Sequence, residues 1–167
     1  MMGILSGNPK DEPLHAGEVY NLWTHLFELK GLLVTMQVLN SHAGDHDLKA
    51  FLDQFSESCI KEEAEKVETI LKENGIRLPP APPDRPMVNV DDIPAGARFH
   101  DPEISVLVGQ MLMAGKLFCS YVMSIAIRED IGEMYDQFHS KRTEYHGKLL
   151  KMNKDKGWLV PPPLNTR

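Results

Sequence analysis

The sequence predicts an all-α protein, a four-helix bundle with one long proline-rich crossover between helices 2 and 3. Three observations carry that expectation. Apolar residues recur at three- and four-residue steps in four separate stretches, which is the period of a helix facing a core. Two of the three joints between those stretches are short. The third, residues 76–99, contains six prolines and no helical period, so it cannot be a tight turn. At 167 residues the whole chain, 1–167, is expected to form one domain with a core large enough to need neither disulfide nor metal.

The elements follow in order. Helix 1 is expected from Pro13 to about Asn40, with Val19, Leu22, Leu26, Leu29, Leu33 and Met36 on its apolar face. The break "NSHAGDHD" supplies Gly44 as a stop and Asp45 as an N-cap. Helix 2 then carries Leu48, Leu52, Phe55, Cys59 and Ile70 and ends near Gly75. In the crossover, Ile76, Leu78, Val88, Val90 and Ile93 are apolar positions expected to lie against the bundle. Asp101 and Pro102 read as an N-cap and a first-turn proline opening helix 3, from Glu103 to about Ile127. Gly132 interrupts the pattern, and Met134, Tyr135, Phe138, Arg142, Tyr145 and Leu149 continue it as helix 4. Gly157 and the prolines after it end that helix and leave residues 157–167 as an extended tail. Two short joints around one long middle connection is the connectivity of ferritin-like bundles.

Composition narrows the function. With 42% apolar and 25% charged residues the chain reads as globular, and a net charge of −6 without a basic patch argues against nucleic acid. Cys59 and Cys119 fall inside apolar helical patterns, as small core residues of a reducing compartment do, so the cytoplasm is the expected location. The start, "MMGILSGNPKDEP", has neither a charged n-region nor an apolar h-region and reads as a frayed end. Helix 3 is nearly long enough to span a bilayer. Gln110 and Lys116 inside it favour a buried central helix of a soluble bundle, with no membrane partner. Its apolar excess, including Met113, Leu117 and Met123, is covered either within one chain or by a second copy.

Asp136 and His139 share a helical face, as carboxylate and histidine do in half of a di-iron site. A full di-iron bundle needs inward carboxylates from all four helices, and helix 3 has no Asp, Glu or His between Glu103 and Glu129. A smaller polar site is the alternative. In a hairpin turning near residue 43, His25 falls level with residue 61 and Glu18 with residue 68, so Glu18, His25, Glu62 and Lys66 approach one another. With helix 4 beside helix 1, His139 and Arg142 would close the cluster. Such a set is either a structural ion-pair network or, with Glu18, His25, Glu62 and His139 as ligands, a single divalent metal or small-ligand site. The "SHAGDHD" turn is expected to be a solvated loop, and Arg128, Glu129 and Asp130 to cap and pair at the joint of helices 3 and 4. No Gly-rich phosphate loop or nucleophile elbow is present in the sequence.

The segments "GEVYNLW" (17–23), "IRLPPAP" (76–82), "ARFHDPEIS" (97–105), "REDI" (128–131) and "KGWLVPPP" (156–163) span nearly the whole chain in order. In them the chain resembles an uncharacterised ferritin-like family of spore-forming bacteria, distantly related to spore coat protein F, whose members often hold two tandem copies of this unit. The resemblance implies the ferritin-like fold and an association with sporulation, and it implies no reaction and no active site. This chain has a single copy, so a homodimer is expected in place of the tandem arrangement. The resulting expectation is a structural or interaction protein without catalysis or a required cofactor. The alternative is a ferritin-like protein with a metal or small ligand in a polar core site.

Overall fold

The computed structural model describes residues 12–165, and every regular element among them is helical. α1 spans Ala16–His42, α2 His46–Phe55, α3 Glu62–Glu73, α4 Asp101–Ile125 and α5 Glu129–Asp155. α2 and α3 are one continuous rod, joined by a π-helical turn at Ser56–Lys61, so the chain forms four rods as expected. Residues 158–165 hold no regular element, and the expected frayed start lies mostly outside the described residues.

Local chemistry explains where each rod begins and stops. α1 starts at Ala16 rather than Pro13, because the His15 ring accepts from Gly17 N at 2.9 Å while Glu18 Oε2 accepts from His15 N at 3.0 Å. Asp45 caps α2 as expected, its Oδ1 accepting from Asp47 N and Leu48 N at 2.9 and 3.1 Å. Gly75 and Gly157 lie two residues past the ends of α3 and α5, where φ values of 69° and 72° favour a residue without a Cβ. The cap of α4 is His100, one residue before the expected Asp101, and His100 N donates to Glu103 Oε2 at 2.7 Å. Asp101 instead accepts from Gly44 N at 2.8 Å, tying the α1–α2 joint to the head of α4. The break between α4 and α5 falls at residues 126–128, and Gly132 lies inside the first turns of α5.

α1 packs along α2 and α3, and α4 packs along α5. The two pairs meet where α1 touches α4 and α5 touches the π turn. α5 therefore neighbours the second rod, and the expected placement of helix 4 beside helix 1 is corrected: α4 takes that place. Leu22, Leu26, Phe55, Ile60, Ile104, Leu112 and Tyr135 lie wholly buried between the rods. Each such side chain contributes about 1.5–3 kcal/mol relative to an exposed one.

α4 is the apolar helix expected to run buried through the centre, and this too is corrected. Only 22% of its most apolar stretch is buried. α5 covers one flank and α1 the other, which leaves Val106, Met113, Leu117 and Tyr121 on the outer side, with Leu117 65% exposed. Met123 is half-buried against the core.

The segment between α3 and α4 follows α1 along its length. Trp23 Nε1 donates to Arg77 O at 2.9 Å, Lys30 Nζ to Pro79 O at 3.1 Å, and Phe99 N to His42 Nδ1 at 3.0 Å. Between these, Gln37 Nε2 donates to Asp84 Oδ1 at 2.9 Å and Gln37 Oε1 accepts from Arg85 N at 2.7 Å. Ile76, Leu78, Val90 and Ile93 are half-buried there, whereas Val88, expected among them, faces solvent.

Candidate functional site

A buried ion pair joins the second rod to α5. Arg142, on the inner face of α5, donates from Nη2 to Glu63 Oε2 at 2.6 Å and from Nε to Glu63 Oε1 at 3.0 Å, a bidentate geometry. Their side chains are 3% and 1% exposed. Burial pulls the Arg142 pKa down, but the charge and hydrogen bonds of Glu63 outweigh it, and the guanidinium is held above its ordinary value. Cys59 Sγ, from the π turn, donates to Glu63 Oε1 at 3.3 Å, so the carboxylate is engaged on both oxygens.

α1 brings His25 to the same place. Its Nδ1 lies 2.8 Å from the Tyr135 hydroxyl, its Nε2 lies 3.8 Å from Glu63 Oε2, and its ring packs on Phe118 and Tyr135. Burial, helped by the Arg142 charge, lowers its pKa to about 3, so the imidazole is neutral at physiological pH. Its neighbours suit one tautomer: Nδ1 accepts from Tyr135 O–H and Nε2–H faces the carboxylate.

α4 makes the room for this cluster with a glycine. A Cβ added at Gly115 would collide with Arg142 Nη1 and lie 2.5 Å from Cζ. A mid-helix glycine costs about 1 kcal/mol relative to alanine, which is tolerated here because the guanidinium occupies the space.

The four sequence-predicted ligands occupy separate environments. Glu18 is fully buried, but at the α4–α5 joint, where Oε1 accepts from Ile127 N and Arg128 N at 2.9 and 3.1 Å. It thereby ties the capping box of α1 to the α4–α5 joint, where Arg128 pairs with Asp130 at 2.7 Å beside it. Glu62 is on the surface, paired with Lys141 at 2.6 Å. His139 is half-buried on α5, its carbonyl accepting from Thr143 Oγ1, and Asp136 is exposed. Only His25 reaches the buried cluster. Among the described residues no three His, Cys, Asp or Glu side chains are grouped so as to hold a metal ion. The acids of the "SHAGDHD" turn, Asp45 and Asp47, pair with Lys156 at 2.8 and 2.6 Å.

A family described as a protein of unknown function (DUF3231) matches residues 2–167. The chain belongs to that family. The uncharacterized protein YvdQ of Bacillus subtilis (strain 168) is 47% identical over 98% of this chain and 96% of its own length. A crystal structure from Bacillus halodurans C-125, described as that of a candidate spore coat protein, is 46% identical and superposes with a TM-score of 0.92. It covers 96% of this chain and 100% of that one.

In this DUF3231 chain the residue that sequence reasoning missed is Glu63, one position from the expected Glu62. The signal was present: Glu63 falls four residues after Cys59 and four before Val67, in phase with the buried stripe, whereas Glu62 is out of phase. His25, expected level with residue 61, meets residue 63, whereas Glu18, expected level with residue 68, bonds instead to the amides of residues 127 and 128. The guanidinium and carboxylate neutralise each other, burial raises the Cys119 thiol to about 12 and that of Cys59 further, and neither sulfur is a ready nucleophile.

Proposed function

We propose that this chain is a structural or interaction protein of the spore. In this reading it is a ferritin-like four-helix bundle whose residues 76–99 are the long crossover between the second and third rods. It resides in the cytoplasm of the sporulating cell, works as a homodimer, and needs no cofactor, catalysis, nucleic acid or membrane. Support for the spore comes from the solved relative described as a candidate spore coat protein. Support for a non-catalytic role comes from the buried ion pair, whose charged oxygens and Nε and Nη2 donors are engaged with each other.

The outer face of α4 carries the dimer reading. Val106, Met113, Leu117 and Tyr121 recur along it, each at least half exposed. Between Glu103 and Arg128 the one charged side chain is Lys116, which is drawn aside to His146 Nδ1 on α5 at 2.8 Å. A chain of net charge −6 repels its own copies except across an uncharged face, and this face is both uncharged and apolar. A second copy docked there buries both stripes against each other.

Sedimentation equilibrium tests it directly, with Leu117→Asp/Tyr121→Asp as the comparison. The wild type is expected to be a dimer and the double variant a folded monomer, since both positions are exposed. A wild type that stays monomeric at high micromolar concentration would sink the dimer. Spore fractionation with an antibody to the chain tests the other half, and its absence from spores would remove the association.

A further inference from the structure

A cleft between α1 and α4 ends on the ion pair. Its volume is about 220 Å³, Leu29, Leu32, Met111 and Phe118 form apolar walls, and the buried His25 and Arg142 lie at its inner end. Arg142 uses Nε and Nη2 on Glu63, whereas Nη1 has no hydrogen-bond partner among the described residues. That Nη1 is the guanidinium atom nearest Gly115, which itself lines the cleft. Arg142 is only 2% exposed, and because no buried side-chain nitrogen among the described residues lacks a partner, its uncommitted Nη1 keeps an opening to solvent where Arg142 lines this mostly apolar cleft. A donor that opens onto a cleft and is bonded to no protein acceptor is free to serve an acceptor that enters it. Independently, Glu63 lies two residues after a π-helical turn, a conformation frequent at functional sites.

We propose that this cleft binds a small, neutral, largely apolar molecule carrying one hydrogen-bond-accepting oxygen, which Arg142 Nη1 donates to. The size follows from the volume, below the roughly 300–1,000 Å³ of sites for drug-sized ligands. Neutrality follows from the charges. Glu63 already balances Arg142, His25 carries none, and the exposed carboxylate of Glu28 at the rim repels anions. The site goes beyond the dimer reading and does not depend on it. Met111 and Phe118 lie on the flank of α4 that faces α1, whereas Leu117 and Tyr121 lie on its outer side.

Benzamide and benzoate, equal in shape and different in charge, are the probes, titrated into the full chain while NMR follows the His25 ring and the Arg142 Nε–H. Benzamide is expected to saturate these signals at one per chain with a Kd of about 1 mM or tighter, and benzoate to bind more weakly. Ala114→Trp plugs the rim without touching the ion pair, because Ala114 is an exposed lining residue. It is expected to weaken benzamide by about tenfold or more while the circular dichroism is unchanged. Three results would overturn the site: no saturable shift of either signal up to about 10 mM benzamide, benzoate binding more tightly than benzamide, or unaltered affinity in Ala114→Trp.

Discussion

Arg142 and Glu63 meet as a bidentate pair across two helices, Nη2 to Oε2 at 2.6 Å, with both side chains almost wholly out of water. Such a pair stabilises little on balance, because desolvating two charges offsets their attraction, but breaking it is expensive. Glu63→Gln is expected to cost about 3–5 kcal/mol in urea unfolding, since Arg142 keeps a buried, unmatched charge. Replacing both residues by methionine is expected to recover most of that loss. Glu62→Gln, one position away on the surface, is expected to leave stability unchanged. Equal losses at positions 62 and 63 would contradict the assignment.

His25 makes stability depend on acid. Its folded pKa of about 3 lies below the ordinary 6.5, so the unfolded chain binds a proton in that interval that the native chain does not. The contribution is fully present above pH 6.5 and is lost as pH falls towards 3, at up to about 1.4 kcal/mol per pH unit. His25→Gln is expected to flatten the slope of unfolding free energy between pH 6 and 4 by nearly that amount. Parallel slopes for variant and wild type would show that the imidazole already titrates in the native state.

Two glycine substitutions with opposite outcomes test the close approach of α4 to the guanidinium. Gly115→Ala is expected to destabilise by about 1–3 kcal/mol, despite alanine's better helix propensity, because its Cβ meets Arg142. Gly147→Ala, with open space around it in α5, is expected to stabilise by about 0.4–1 kcal/mol. Thermal unfolding of the two variants side by side reads the contrast.

Glu18 holds a joint and not a ligand in this structure, so its loss has a local signature. Glu18→Ala leaves the Ile127 and Arg128 amides without their acceptor and is expected to cost about 1–3 kcal/mol. Hydrogen exchange is the sharper measurement: those two amides should lose protection more than amides in the middle of α4. Uniform loss along the chain would indicate global destabilisation alone.

Gln37 clasps residues 84 and 85 with both ends of its amide. Gln37→Ala is expected to release this part of the connection and speed hydrogen exchange of the Arg85 amide, with the helices themselves intact. Unchanged exchange would mean that the neighbouring bonds to Arg77 and Pro79 hold the segment without it.

The sequence by itself determined that the chain is all-helical, where its four rods lie, and which segment connects the second to the third. Those features follow from local physics: the 3.6-residue period of apolar positions, the Asp45 cap, and prolines that cannot continue a helix. It also marked Glu18, His25, Glu62 and Lys66 as polar intrusions on apolar faces, of which Glu18 and His25 are buried and Glu62 and Lys66 are exposed. What only the tertiary structure decided is who meets whom. Placing α5 against the second rod gave Arg142 to Glu63, and the break at 126–128 drew Glu18 away to cap two amides. The neighbours on either flank of α4 left Leu117 and Tyr121 in solvent. A helical period states which side of a rod is buried and carries no record of which other rod will cover it. A buried charge is settled by the partner across that interface.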